Sequence, residues 1–149
     1  MSVLTDSRKL FLHTLFTTAI ESGIGYWATV REYHWMRPEF HGQRGYPRGC
    51  EDLDGFFAVI DDNESGRRGM RADLATMERG VDLFIRYCRG EIDYHGKEVA
   101  PGARVELRPD HYWHRFLEAE ATDGADGDYD ANVADQILQF GLFGEAVYG

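Results

Sequence analysis

In four stretches of the chain, apolar residues recur every three or four positions, the spacing that places them on one face of an α-helix. The predicted helices run from about Ser7 to Ser22, from Asp73 to Cys88, from Pro109 to Ala121, and from Asp130 toward the C-terminus. The first should be capped by Asp6 or Ser7 and should end at Gly23 in a left-handed conformation. In the second, the interior glycine Gly80 should permit close packing on a sheet.

Two further stretches have the pattern of β-strands. Tyr26 to Trp35 alternates and is rich in aromatic and β-branched residues, while Gly55 to Asp61 is a nearly continuous apolar run, typical of a central strand. We expect these two strands to pair antiparallel, with a polar turn from Asp61 to Gly69 and a short edge strand at Arg104 to Leu107. The sequence therefore predicts an α+β fold: about four helices packed around a small antiparallel sheet, in a single domain covering residues 1–149.

Two segments follow neither pattern. Met36 to Asp54 is a long loop with two prolines, three glycines and three arginines, and such loops are often functional. Ala121 to Tyr129 is acidic and, counted from Asp126, places carboxylates at positions 1, 3 and 5 of a calcium-binding loop. Positions 6 and 12 of that pattern are Ala131 and Ile137, where the motif needs Gly and Glu. We therefore expect a flexible, solvated linker there.

The net charge of the chain is -10. Such a protein repels nucleic acid and anionic lipid on average, but it attracts a basic protein surface. No apolar run approaches the ~20 residues of a membrane span, and the first residues lack the apolar centre of a signal peptide. Cys50 and Cys88 have neither metal-type spacing nor a context that favours a disulfide. Composition therefore predicts a cytoplasmic protein with free thiols, no membrane partner and no direct binding to nucleic acid.

The strand from Tyr26 to Trp35 supplies the first candidate site. Strict alternation would place its large rings and one arginine on the same face, close to the arginines of the following loop. Rings stack on flat bases and guanidinium groups bind phosphate, so the combination suits a nucleotide-like small ligand. The candidate residues are Trp27, Arg31, Tyr33, Trp35, Arg37, Arg44 and Arg48. The alternative is that the rings belong to the core and the loop is simply solvated.

Histidines supply the second candidate site. His111 and His114 are three residues apart in the third predicted helix, and His34 alternates with Glu32 in the first strand. Imidazole and carboxylate groups are common zinc ligands, so His34, His111 and His114 could hold the metal of a hydrolase. The alternative is that these histidines are structural or lie on the surface.

The sequence contains no glycine-rich phosphate loop, no nucleophile elbow and no local catalytic triad pattern. Because active sites assemble from distant residues, this absence only leans against an enzyme, and we predict no cofactor. The last residues, from Phe140 to Gly149, are unusually apolar. They should pack on the domain itself or on a second copy, which would make a homodimer.

The two ends of the chain carry a resemblance. Phe16 to Trp27 with Glu32 to Trp35, and Asp130 to Glu145 with Val147 to Gly149, resemble small uncharacterised proteins of actinobacterial phages and prophages. The resemblance implies an intracellular, phage-derived accessory protein and transfers no site residue. Arginine strongly outnumbers lysine in the chain, which independently indicates a high-GC genome.

Three functions remain open from the sequence. The first is a non-enzymatic, acidic accessory protein that binds a host protein and competes for its basic surface, as a nucleic-acid mimic does. The second is a binding or sequestering protein for a nucleotide-like ligand at the aromatic and arginine residues. The third is the metal-dependent hydrolase.

Overall fold

The computed structural model describes residues 4–100 and 113–149. Within these ranges the chain forms four α-helices and a three-stranded antiparallel sheet, which confirms the α+β prediction. The elements are α1 (Asp6–Thr18), β1 (Ala28–His34), β2 (Phe57–Asp62), β3 (Met70–Asp73), α2 (Leu74–Cys88), α3 (Trp113–Ala121) and α4 (Ala131–Phe143). The predicted edge strand Arg104–Leu107 lies outside the described residues, as does the predicted start of the third helix.

The first helix begins earlier and ends differently than the sequence predicted. Its N-cap is Thr5, whose hydroxyl accepts from the Arg8 backbone N–H at 3.1 Å, so the prediction of Asp6 or Ser7 is wrong. A π-helical turn, Ala19–Gly23, continues α1. The backbone of Gly23 does not adopt the left-handed conformation that the sequence predicted. A Cβ at this position would lie 2.9 Å from the Ala131 carbonyl oxygen. Glycine is therefore needed at this position for close approach to α4, rather than for a turn.

The last helix, α4, is the centre of the packing. Nine consecutive residues of α4 are buried, from Val133 to Gly141, and α1, α2 and β3 contact it. The interior glycine of α2, Gly80, lies against Ile137 of α4, so the prediction that it packs on the sheet is wrong. Asp73 and Asp130, the residues from which the second and fourth predicted helices run, are the N-caps of α2 and α4: Asp73 accepts from the Thr76 N–H at 3.1 Å and Asp130 from the Val133 N–H at 2.9 Å.

The sheet has the strand order β1-β2-β3. The antiparallel pairing of β1 with β2 was predicted, whereas β3 was not, because it has only four residues and runs directly into α2. One face, with Ala58, Ile60 and Ala72 fully buried, belongs to the core. The pairing register shifts between Val30 and Glu32. This β-bulge breaks the strict alternation on which the predicted ring-and-arginine face depended.

The apolar C-terminus packs on its own domain. The Ala146 N–H donates to the Tyr94 carbonyl oxygen at 2.7 Å, and the Tyr148 ring stacks on Trp27 with centroids 5.2 Å apart. The tail therefore does not require a second copy to cover it. None of the helices described is both long enough and apolar enough to cross a membrane.

The segment between α3 and α4 is a folded turn. The Gly124 N–H donates to the Ala119 carbonyl oxygen at 2.8 Å, and the Asp128 N–H donates to that of Arg115 at 3.2 Å. Tyr129 then packs edge-on against the Phe11 ring, with centroids 6.2 Å apart. Backbone hydrogen bonds to α3 and the half-buried Tyr129 ring therefore fold this segment onto the domain, while its carboxylates Asp126 and Asp128 are exposed, as predicted for a solvated segment.

Candidate functional site

A cleft of about 460 Å³ lies between α1, the end of β1 and the loop that follows β1. We name it the α1–β1 pocket. It is lined by Leu10, His13, Thr14, Thr17, Glu21, Tyr33, Trp35, Tyr46 and Glu51. Three aromatic rings and two carboxylates thus share one cleft, together with the polar side of α1.

The loop after β1 brings Tyr46 and Glu51 to the pocket because its two ends are joined at the base. The Asp52 N–H donates to the Trp35 carbonyl oxygen at 3.1 Å, and the Arg37 N–H donates to that of Cys50 at 2.9 Å. The Tyr46 ring then meets the Trp35 ring edge to face, with centroids 4.8 Å apart and an interplanar angle of 77°. The base of the loop is therefore ordered by backbone hydrogen bonds, and the rings are positioned by it.

His13 supports the inner wall of the pocket. Its side chain is buried, and its ring packs edge-on against Phe56 at 5.3 Å between centroids. The His13 Nε2 atom lies 2.7 Å from the Trp35 carbonyl oxygen. Because a carbonyl oxygen only accepts, Nε2 carries the proton in this contact. This hydrogen bond fixes α1 against the end of β1 and so fixes the position of Trp35.

The two carboxylates of the pocket are held differently. Glu21 lies in the π-helical turn and accepts from the Tyr33 hydroxyl at 2.5 Å. Burial, and then this hydrogen bond, raise the pKa of Tyr33, so its hydroxyl stays protonated and donates. Glu51 is half-buried, and no hydrogen bond or ion pair to its carboxylate is formed within the described residues. Neither Lys nor Arg is among the described residues that line the pocket.

The structure separates most of the residues predicted for a nucleotide-like ligand. Trp27 is fully buried, and its indole Nε1–H donates to Asp135 at 2.9 Å. Arg31 occupies the β-bulge, pairs with Asp61 and lines a different cleft, on the outward face of the sheet. The loop arginines are exposed, and none of them lines the α1–β1 pocket; they are Arg37, Arg44 and Arg48.

Of the seven predicted ligand-binding residues, the pocket therefore brings together only Tyr33 and Trp35. Their partners Glu21, Tyr46 and Glu51 were missed by the sequence argument. Glu21 looked like an ordinary helical residue, and the other two lie in a loop whose arginines drew attention first. The expected arginine-rich site is thus replaced by a site with carboxylates.

The outward face of the sheet carries paired charges. The Phe57 ring stacks on His34 with centroids 4.4 Å apart, and the Arg71 guanidinium lies 4.0 Å from the centre of the same ring. A cleft of about 540 Å³ on this face is lined by Arg31, Glu32, Val59, Asp61, Arg68 and Gly69. The Gly69 backbone N–H, and then the Arg31 guanidinium, hold the pKa of Asp61 below its usual range. Charges of both signs therefore compensate one another here.

The predicted metal site is only partly within the described residues. His34 is exposed, and its Nε2 lies 3.6 Å from the Glu32 carboxylate. His111 and the side chain of His114 lie outside the described part. Among the described residues, no group of three or more His, Cys, Asp or Glu is placed to hold a metal ion. The His34 and Glu32 pair by itself supplies too few ligands for a zinc centre.

A buried polar cluster on α4 anchors the C-terminal tail. Asp135 accepts from the Tyr26 hydroxyl at 2.5 Å and from the Gln139 amide at 2.9 Å. Burial raises the pKa of Asp135 even though these donors favour its charged form. The Gln139 side-chain oxygen in turn accepts from the backbone N–H groups of Val147 at 2.8 Å and Tyr148 at 2.7 Å. These contacts give the cluster a structural role.

Scans of protein-family models and searches of curated proteins and solved structures find no match to this chain. The chemistry of the α1–β1 pocket therefore carries the functional argument. Its rings offer negatively polarised faces, and its carboxylates offer full negative charge. Both features favour a positively charged ligand.

Proposed function

We propose that this chain is a small, non-enzymatic, phage-type accessory protein that acts in the host cytoplasm by binding a basic region of a host protein. The observation that carries this proposal is the lining of the α1–β1 pocket, where Glu21 and Glu51 lie beside three aromatic rings. A cationic side chain in this pocket would interact favourably with both the rings and the carboxylates.

The charge of the whole chain supports the same partner. A net charge of -10 attracts a basic surface over distances longer than a contact, and so increases the rate of encounter. Host proteins that bind nucleic acids carry such surfaces, so competition with nucleic acid is part of this proposal. A nucleotide-like ligand has weaker support. The cleft with Arg31 and Arg68 also contains Glu32 and Asp61, which offset the positive charge.

The test is a titration of isotope-labelled protein with two short peptides, followed by NMR. In one peptide every second residue is basic, either arginine or lysine, and serine stands between them. The other peptide has glutamine in place of each basic residue. We expect only the basic peptide to shift the signals of Trp35 and Tyr46, and we expect the affinity to fall steeply with added salt. Equal binding of the glutamine peptide, or shifts from duplex DNA instead of the basic peptide, would contradict the proposal.

Two charge-neutralising variants locate the binding. Glu51→Gln removes a pocket carboxylate. We expect it to lower the affinity for the basic peptide about tenfold, which corresponds to about 1.4 kcal/mol of binding free energy. Glu39→Gln removes the same charge from an exposed position that does not line the pocket, and it should change affinity little. Equal losses in both variants would show that net charge, rather than the pocket, governs binding.

A further inference from the structure

We infer that the α1–β1 pocket selects a guanidinium group, so that the residue it binds is an arginine of the partner rather than a lysine or a methylated lysine. This inference rests on the proposed function and names the ligand class of the same pocket. Three features carry it: the contact between two rings, the two carboxylates, and the hydrogen bonds that hold Tyr33 and Trp35 in place.

The ring geometry favours a flat cation. Trp35 and Tyr46 already touch edge to face at 4.8 Å between centroids, so no slot for a cation is open between them. A trimethylammonium group is bulky on all sides and is bound best when several rings surround it. A guanidinium group is planar and stacks on a single ring face. Because Tyr46 is 73% exposed and Trp35 only half-buried, each ring retains surface on which a planar group can stack.

The carboxylates favour a cation with many donors. The Glu51 carboxylate is free of hydrogen bonds and ion pairs within the part of the chain that the structure describes. Glu21 uses its Oε2 atom to accept from Tyr33, which leaves Oε1 as an acceptor. Arginine presents five N–H donors in a fixed planar fork, whereas the lysine ammonium is a compact, strongly hydrated charge. A stacked guanidinium can thus donate to a carboxylate along its edge while its face rests on a ring.

One wall of the pocket, formed by Tyr33 and Trp35, is held in place before any ligand binds. His13 is hydrogen-bonded to the Trp35 carbonyl oxygen at 2.7 Å, and the Tyr33 hydroxyl is held by Glu21 at 2.5 Å. A π-helical turn places Glu21 there, and such turns occur frequently at functional sites. Ordering the side chains in advance lowers the entropic cost of binding and makes geometric selection between cations effective.

A divalent metal fits this lining less well. Calcium takes six to eight oxygen ligands, and no group of three or more His, Cys, Asp or Glu in the described ranges is placed to hold an ion. The rings of Tyr33, Trp35 and Tyr46 supply no ligand that calcium or magnesium prefers. An organic cation uses both the rings and the carboxylates.

The experiment compares four short peptides that differ only in their central residue: arginine, lysine, trimethyllysine or citrulline. Citrulline keeps the planar shape of arginine and removes its charge. Each peptide is titrated into the labelled full chain, and the signals of Trp35, Tyr46 and Glu51 are followed. We expect the arginine peptide to bind about fivefold more tightly than the lysine peptide and about tenfold more tightly than the citrulline peptide.

The outcomes separate this inference from the proposed function. Equal affinity for arginine and lysine would overturn guanidinium selection and leave binding of a basic partner standing. If the trimethyllysine peptide bound more tightly than the arginine peptide, guanidinium selection would be overturned, and the pocket would act as an aromatic cage. Failure of all the cationic peptides to bind would overturn both. Binding that shifts His34 and Phe57 without shifting the pocket residues would overturn the location.

A variant of Tyr46 tests whether ring stacking causes the preference for arginine over lysine. Tyr46→Leu removes a ring whose only described aromatic contact is Trp35, at an exposed position where folding is little affected. We expect it to reduce affinity for the arginine peptide about threefold or more while reducing that for the lysine peptide less. Glu39→Gln is the control and should preserve the ratio between the two peptides. A ratio that is unchanged in Tyr46→Leu would contradict the stacking argument.

Discussion

Gly80 in α2 lies against the carbonyl oxygen of Ile137 in α4, so closely that a Cβ at position 80 would stand 2.1 Å from that oxygen. The relationship is reciprocal, since a Cβ at Gly141 of α4 would stand 2.1 Å from the Thr76 carbonyl oxygen of α2. Two glycines thus allow the backbones of both helices to touch. This contact places α4 in the centre of the domain.

Replacing Gly80 with alanine should therefore destabilise the protein, although alanine is the better helix former by about 1 kcal/mol. Overlap with α4 would force the helices apart, and we expect a loss of about 2 kcal/mol or more in the free energy of unfolding, measured in urea. Gly25→Ala is the matched control, because Gly25 is exposed, has no positive φ, and would have no atom within 4 Å of an added Cβ. A Gly80→Ala protein as stable as the Gly25→Ala protein would contradict the observed helix contact.

The N-cap of α1 provides a second stability test. Thr5→Ala removes the hydroxyl that accepts from the Arg8 N–H, and we expect a loss of about 1 kcal/mol in the free energy of unfolding. Ser7→Ala changes an exposed residue inside the first turn and should be close to neutral. Thermal or urea unfolding of both variants measures the difference. The opposite order of effects would place the cap where the sequence predicted it.

The contact between Tyr148 and Asp62 should make stability depend on pH. Burial would raise the pKa of Asp62, but hydrogen bonds from the Tyr148 hydroxyl at 2.7 Å and from backbone N–H groups outweigh it and lower that pKa. A folded pKa below the unfolded value of about 4 means that this stabilisation is present above pH 4 and lost as pH falls through the folded pKa.

Tyr148→Phe keeps the ring stacked on Trp27 and removes only the hydroxyl. We expect it to cost about 1.5 kcal/mol of unfolding free energy at neutral pH, where Asp62 is charged, and less as Asp62 becomes protonated. Urea unfolding of both proteins at neutral pH and near pH 3 measures this difference. Asp135 titrates in both proteins, so its contribution largely cancels. A cost that is independent of pH would show that the hydroxyl does not act through the charged form of Asp62.

Gln139 should hold the C-terminal tail in place. Gln139→Leu keeps the volume but removes the oxygen that accepts from Val147 and Tyr148. We expect the backbone amides of these two residues to lose protection from hydrogen exchange, with a loss of about 2 kcal/mol in stability. Gln43→Leu, at an exposed loop position, is the control. Continued protection of both amides in Gln139→Leu would contradict this anchoring role.

The two thiols should be unreactive in the folded protein. Cys50 and Cys88 are both buried, which keeps reagents away from them, and burial also raises the pKa of Cys88 to about 12, so very little Cys88 thiolate exists near neutral pH. A thiol reagent added to the native protein should react only as fast as the protein unfolds, whereas both thiols should react at once in urea. Rapid reaction of either thiol without denaturant would contradict their burial.

Local patterns in the sequence were sufficient for most of the secondary structure. The apolar stripe of α2 and the caps Asp73 and Asp130 are determined by residues a few positions apart, because helix geometry places such residues side by side. The short strand β3 was missed because four residues carry little periodic signal and the pairing partner lies on β2. Close contacts such as that of Gly23 with Ala131 join distant segments and have no local signal.

The same distinction holds for the candidate site, where some residues were identified from the sequence and others only from the structure. The sequence by itself identified Tyr33 and Trp35 as notable, since rings in a strand are visible without a structure. Only the tertiary structure decided that Trp27 is core, that a bulge directs Arg31 to the outward face, and that carboxylates rather than arginines meet the rings. Periodicity determines which residues of one segment share a face, but the side chains that meet across segments depend on long-range pairing and packing, which local patterns do not encode.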